Sequence, residues 1–332
     1  MKDNSLVRPG DRTSLKAYLQ YLVILLDDTS VAYCHAHNPL TERRLMPLDV
    51  LKEGILFGMK HNLMIQFVYP DYALPAAYEE AIESIDHVKI GQDIAVVEGV
   101  PAQLPAKDTV VLRLRVEELV TKQYEVAALL PTVKRLNICL TDVEAFTDEQ
   151  IPAYRSALKT LTEVLANQYK AGKQPQVNIL TDRLQLSEMH NCGAGVSNIT
   201  LAPNGKFYLC PAFYYDEQTG LSNRMNHKTG DASRSVGDLE SGLAIPNKQL
   251  LQLDHAPLCR ICDAYHCHRC IWLNQRLTWD NNTPSHQQCV LALLERNAAR
   301  ELQQTLTDAG FAFEQTIKEI DYLDPFEVKE EW

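Results

Sequence analysis

The chain has 332 residues, 45% of them hydrophobic, and carries 43 acidic against 32 basic side chains for a formal net charge of −11. That length and apolar content support one large or two ordinary domains and exclude an intrinsically disordered chain. The acidic balance argues against a general binder of nucleic acid or of anionic membranes.

The opening stretch, MKDNSLVRPGDRTSLK, is polar and has no apolar signal core, and the longest early apolar run, residues 21–26, is far too short to span a bilayer. A cytoplasmic location is expected. In that reducing compartment clustered cysteines point to metal binding or catalysis, not to disulfides.

Residues 18–27 (YLQYLVILLD) read as a buried strand. A helix follows over 48–62, with Leu48, Leu51, Ile55 and Met59 on one face. Residues 63–69 (LMIQFVY) are a second strand and 75–85 a second helix. A short third strand at 93–98 is preceded by an extended stretch at 87–90. No helix is expected before the next strand, because Pro101 and Pro105 interrupt it. Residues 109–116 (TVVLRLRV) form a fourth strand, 117–130 a helix, and 135–140 (RLNICL) a fifth strand. Thr147 and Gln150 make a capping box for a helix carrying Ile151, Tyr154, Leu158, Leu161 and Leu165, which Gly172 can end. Residues 177–181 are the sixth strand.

Six β–α units in series predict a parallel sheet. A doubly wound sheet and a partial (β/α)6 TIM-like barrel both fit the periodicity. At the carboxyl ends of such strands, where ligands bind, Asp27, Asp71 and Asp142 are the polar groups of interest.

After residue 186 helical periodicity gives way to cysteines, glycines and loops. Seven of the nine cysteines lie here, four of them in the segment CRICDAYHCHRC, residues 259–270. Two C-x-x-C pairs so close together can close four thiolates on one metal or cluster, and soft thiolates select zinc or iron–sulfur. Upstream, Pro203-Asn204-Gly205 between two β-prone runs predicts a hairpin that sets Cys210 across from about Ile199. Pro211 ends its second strand, and residues 216–234 read as a polar loop. Cys289 opens a final helix with Leu291, Leu294, Ala298, Leu302 and Leu306 on one face. Cys34 and Cys139 read as ordinary buried residues, Cys139 in the core. His255, His266, His268 and His286 read as surface residues beside the cysteines.

The pattern Cys192–x12–Gly205–x4–Cys210, Cys259-x2-Cys262-x4-Cys267-x2-Cys270, Cys289 resembles the SPASM domain, with its last two spacings each one residue shorter than usual. That domain follows radical-SAM barrels in enzymes that modify ribosomally made peptides and holds auxiliary [4Fe–4S] clusters. The resemblance implies a partial barrel over residues 1–186, a SPASM-like domain over 187–310 with a β-hairpin and a C-terminal helix, and an acidic tail over 311–332. It implies that Cys259, Cys262, Cys267 and Cys289 hold one cluster. Cys192, Cys210 and Cys270 would hold a second and need one more ligand, from His190 or an incoming thiolate; one cluster alone is the other possibility. A structural zinc held by the four cysteines at 259–270 is the alternative reading.

The radical-SAM motif C-x3-C-x2-C is not intact: aligned after the first strand, Asp27 and Val31 replace two cysteines and only Cys34 remains, preceded by Tyr33. The GGE motif expected after the second strand is replaced by Val68-Tyr69-Pro70-Asp71. Valine cannot ligate iron, so no S-adenosylmethionine cleavage of its own is expected. Asp27 and Asp28 then read as solvated loop carboxylates. The stretches YLVILLDDTSVAYC and LMPLDVLKEGILFGMKHNLMIQFVYPD look like the CXXX repeat peptide maturase family. That resemblance implies a small cysteine-rich precursor peptide as partner, with a radical-SAM or redox protein acting beside it, and no nucleic acid or membrane. Whether the chain is itself an enzyme stays open at this level.

Overall fold

The computed structural model describes residues 19–186, 192–220 and 233–313. His190, most of the expected 216–234 loop and the acidic tail therefore lie outside the described residues.

The first half consists of β1 (Tyr21–Leu25), β2 (Met64–Val68), β3 (His87–Ile90), β4 (Ile94–Glu98), β5 (Thr109–Leu114), β6 (Arg135–Leu140) and β7 (Gln176–Val177). Each pairs in parallel with the next in chain order. A doubly wound sheet reverses its strand order at a switch point. No reversal occurs between β1 and β7, so the sheet is singly wound. β3 and β4 occupy one place in it: they meet only through Ile90 and Ile94, β3 bonding to β2 and β4 to β5. Gly91 makes the turn between them at φ +98°, where a side chain would also press on Val31 and Tyr69. β7 is shorter than its apolar run because the Thr181 hydroxyl takes the Val177 N–H at 2.6 Å and turns the chain away.

Between the strands lie α1 (Leu48–Lys60), α2 (Ala76–Ile82), α3 (Val116–Thr121), α4 (Gln123–Leu129) and α5 (Ile151–Lys170). The helix expected over 117–130 breaks at Lys122, whose φ of −113° is not helical. The Thr147–Gln150 capping box forms, and Tyr154, Leu158, Leu161 and Leu165 are buried as the spacing requires. In α1 the buried face is Leu51, Gly54, Ile55 and Gly58; Met59, expected on that face, is 59% exposed. The stripe is displaced because two glycines let the helix approach the sheet closely. A Cβ at Gly58 would fall 2.5 Å from the Ile65 Cδ1. Gly58→Val is therefore expected to lower the unfolding free energy by about 1–3 kcal/mol through overpacking, although valine outranks glycine in helix propensity. Urea unfolding of the variant checks this, and a gain in stability would refute the close approach.

The expected hairpin forms, β8 (Asn198–Leu201) running antiparallel to β9 (Phe207–Tyr208), with Gly205 in the turn at φ +75°. Its register sets Thr200 opposite Tyr208, and the ladder stops there. The hairpin also joins the main sheet, since β8 pairs in parallel with the free edge of β1. Pro211 does more than end a strand: it is the first residue of α6 (Pro211–Gln218), a helix the sequence did not reveal. After it come α7 (Ile271–Thr278) and α8 (His286–Asp308). Ser285 caps α8, Leu291, Leu294, Ala298, Leu302 and Leu306 are buried, and the helix packs along α5. Among the described residues no helix is long and apolar enough to cross a membrane.

Candidate metal centre

The seven cysteines of the second half separate into two neighbourhoods. In the first, residues Cys259–Ile261 form a tight 3-10 turn, and the Cys262 N–H bonds back to the Cys259 carbonyl at 3.1 Å. The Ala264 N–H donates to the Cys262 sulfur and the Arg269 N–H to the Cys267 sulfur, each at 3.4 Å. Cys262 and Cys267 pack against Ala292 and Leu293 of α8, close along that helix to Cys289. Burial pushes the Cys259 thiol up to about 11, Cys267 and Cys262 add to the rise, and Arg269 opposes it. Asp263, fully buried, ties this segment to α8 by ion pairs with Arg296 at 2.9 Å and with Arg300.

The second neighbourhood holds Cys192, Cys210 and Cys270. Cys210 is the N-cap of α6 and Cys270 the N-cap of α7, and Trp272 of α7 donates its indole N–H to Asp216 of α6 at 2.7 Å. The start of α7 is thereby tied to the later turns of α6. Cys192 enters from the turn before β8. Burial raises the Cys210 and Cys270 thiols well above their ordinary value; Cys270 adds to the rise at Cys210, and Cys34 and Cys192 add to both. Cys192 keeps accessible surface, yet enough chain crowds it that burial raises its thiol as well. Among the described residues, no three His, Cys, Asp or Glu side chains are drawn together closely enough to hold a metal ion as they stand.

The loop after β1 departs from its expected character. Asp27 and Asp28 are buried, not solvated. Asp27 accepts the Thr29 N–H at 2.8 Å and the Thr29 hydroxyl at 2.5 Å on one oxygen and the Tyr72 hydroxyl at 2.8 Å on the other. Asp28 accepts the Tyr214 hydroxyl and pairs with Arg44 at 2.8 Å, which ties α6 to this loop; burial raises its pKa against those contacts. Asp71 is mainly exposed, 3.6 Å from Arg43, and Asp142 accepts the Val116 N–H at 2.8 Å as a structural bond. The two upstream cysteines also differ from expectation. Cys139 is half-buried, because it faces away from the apolar side of β6 that carries Leu136, Ile138 and Leu140. In register beside it stand Arg113 of β5 and Glu98 of β4. Arg113 is buried, pairs with Glu98 at 2.5 Å and donates to the Cys34 carbonyl. Burial, then the nearby Cys139, pushes the Cys34 thiol up to about 12.

Of the flanking histidines, His255 and His286 are exposed as expected. His268 is not: it is buried and bonds to Glu295 of α8 at 2.8 Å. Glu295, fully buried, also accepts the Tyr154 hydroxyl at 2.7 Å and pairs with Arg183 at 2.8 Å. The residues that sequence reasoning missed are thus Arg113, Arg269 and Glu295. A charged residue in the middle of an otherwise apolar helix face or strand is the signal that could have marked Arg113 and Glu295.

No protein-family model and no curated protein matches the sequence. Among solved structures, the chain is similar to native anSMEcpe with bound AdoMet, at 11% identity and a TM-score of 0.50, over 87% of this chain and 99% of that one. Two further structures of that protein are similar at 10% identity. The polyhistidine-tagged form of anSMEcpe with bound AdoMet has a TM-score of 0.48 over 88% of this chain and 95% of the other. Native anSMEcpe with bound AdoMet and Kp18Cys peptide has a TM-score of 0.47 over 88% and 99%. At this identity the likeness is one of fold.

Proposed function

We propose that the chain is an iron–sulfur protein acting in the maturation of a ribosomally made, cysteine-rich peptide, with [4Fe–4S] clusters held by its second half. The observation that carries this reading is the sorting of seven cysteines into two groups, several of whose sulfurs meet backbone N–H donors two residues further on. Such donors favour thiolate over thiol and tune iron–sulfur potentials. Cys259, Cys262, Cys267 and Cys289 would hold one cluster, and Cys192, Cys210 and Cys270 another. A cubane spreads its thiolates wider than the four sulfurs about 2.3 Å from one zinc. When bound, these clusters supply one-electron transfer and a rigid clamp.

The chain cleaves no S-adenosylmethionine in this reading. Where three thiolates would be needed the loop offers only Cys34: Val31 cannot ligate, and Asp27 already accepts from Thr29 and Tyr72. The fold shared with an AdoMet-bound structure supports descent from a partial barrel over residues 1–186 whose own chemistry is lost. Residues 187–310 form the cluster-bearing domain, seated on the sheet through β8, and 311–332 the acidic tail. The partners are a small cysteine-rich precursor peptide, as the CXXX repeat peptide maturase resemblance implies, and a radical-SAM or redox protein, all in the cytoplasm.

Anaerobic purification followed by iron, sulfide and zinc analysis tests the reading. A brown protein with about four irons and four sulfides per cluster is expected. A colourless chain with stoichiometric zinc and no sulfide would overturn it in favour of a structural zinc site.

A further inference from the structure

The group of Cys192, Cys210 and Cys270 is one thiolate short of a complete site. The sequence suggests His190 or a thiolate from outside the chain. The fold brings up another group. The loop after β1 is held against the second half at two points: Asp28 accepts the hydroxyl of Tyr214, in the helix that Cys210 caps, and the His35 ring lies 5.6 Å from that of His268, two residues before Cys270. Between those anchors sits Cys34, its carbonyl held by Arg113 and its neighbour His35 bonded to the Leu140 carbonyl at 2.6 Å. The thiols of Cys34, Cys192, Cys210 and Cys270 are mutual electrostatic neighbours in every pairing. Cys139 adds to the rise at Cys34, while the charged groups beside Cys139 itself are Arg113 and Glu98.

Each of these sulfurs also faces a backbone N–H just beyond it in the chain: Ala36 for Cys34, Ala194 for Cys192, Ala212 for Cys210, and Leu273 with Trp272 for Cys270. The repetition matters, because it is the donor arrangement of a thiolate and is wasted on a neutral thiol. Two further groups point to an anion in their midst. Tyr215, 2% exposed and beside Cys34 and Cys210, has a buried hydroxyl with no hydrogen-bond partner among the described residues. Arg269, 3% exposed, faces Cys192 and Cys259, leaves its Nε unpartnered among the described residues, and has Asn282 rather than a carboxylate as its oxygen partner. A buried guanidinium without a countercharge is costly, and cluster thiolates supply one.

We propose that Cys34 is the fourth protein ligand of the second cluster, so that one [4Fe–4S] group joins the loop after β1 to Cys192, Cys210 and Cys270 of the second half. This rests on the iron–sulfur reading above. With four protein thiolates this cluster has no open iron: it relays electrons or staples the two halves and does not bind a peptide thiol. The one cysteine that remains after β1 thereby serves a cluster other than the one its position in the sequence suggests.

The test is anaerobic reconstitution of the full chain and of Cys34→Ala, Cys34→Ser, Cys139→Ser and Cys192→Ala, read by iron and sulfide content and by EPR after dithionite reduction. The wild type should hold about eight irons and Cys34→Ala about four, with one of two EPR signals lost. Cys192→Ala should lose the same signal, and Cys139→Ser neither. If Cys34→Ala fails to fold, Cys34→Ser decides: a serine oxygen on iron shifts that EPR signal, and an unshifted signal overturns the assignment. A wild type without iron sinks the iron–sulfur reading itself. A wild type with clusters, whose iron and EPR survive Cys34→Ala unchanged, sinks only the role of Cys34.

Discussion

Replacing Glu295 by alanine should destabilise the protein by about 3–5 kcal/mol, the cost of leaving a buried charge without its partner. Arg183, itself buried, loses its carboxylate, and the hydroxyl of Tyr154 and the imidazole of His268 lose their acceptor. The effect should reach both halves, since Tyr154 lies on α5, Glu295 on α8 and His268 in the cysteine segment. Glu295→Gln should cost less, because an amide still accepts hydrogen bonds. The same carboxylate sets an acid limit. Burial alone would raise its pKa, but the charges of His268 and Arg183, with their hydrogen bonds and that of Tyr154, outweigh burial and hold it at about 2 against 4.5. A depressed folded-state pKa stabilises the fold above the unfolded value and is lost on acidification. Stability on the order of 3 kcal/mol should therefore fall away between pH 4.5 and about 2, and that slope should be missing in Glu295→Gln. Urea midpoints measured across that range would show it; parallel pH profiles for the two proteins would refute it.

Asp263→Ala should have the second large effect. Asp263 sits directly after Cys262 and pairs with Arg296 and Arg300 of α8. Its removal takes away a countercharge that the nearly buried Arg296 holds at 2.9 Å, at a cost of about 3 kcal/mol. It also frees the turn that presses Cys262 and Cys267 on Ala292 and Leu293. On the proposed cluster assignment, iron retained after desalting should fall with stability, and the signal assigned to Cys259, Cys262, Cys267 and Cys289 should be lost before that assigned to Cys192, Cys210 and Cys270. Loss of both signals together would contradict the separation of the two groups.

Much of this was written along the chain. The strand at 109–114 follows from its β-branched apolar run, that at 135–140 from its alternation of polar and apolar residues, and α5 from its capping box and three–four spacing, because those signals are local. The hairpin at Asn204-Gly205 and the gap without a helix after Glu98 are likewise local, set by positive φ and by proline. What failed was reading burial from composition. Asp27, Asp28 and His268 are polar residues that are buried because tertiary partners satisfy them, and Met59 is apolar yet exposed because two glycines moved the helix. No property of an isolated segment carries that information.

The sequence by itself determined most strands and the longest helices, the parallel arrangement of the first half, the spacing of the seven cysteines and the presence of Asp27, Val31 and a single cysteine, Cys34, after β1. These depend on period, turn chemistry and residue type, which are properties of neighbours along the chain. Tertiary structure alone decided that the strands run in singly wound order, that β8 joins the edge of β1, and that Cys34 lies with Cys192, Cys210 and Cys270. Those facts depend on which distant segments can bury one another's surfaces and pair one another's charges. Arg113 and His35 hold Cys34 in place through bonds to residues far away in the chain, and no spacing rule reaches that far.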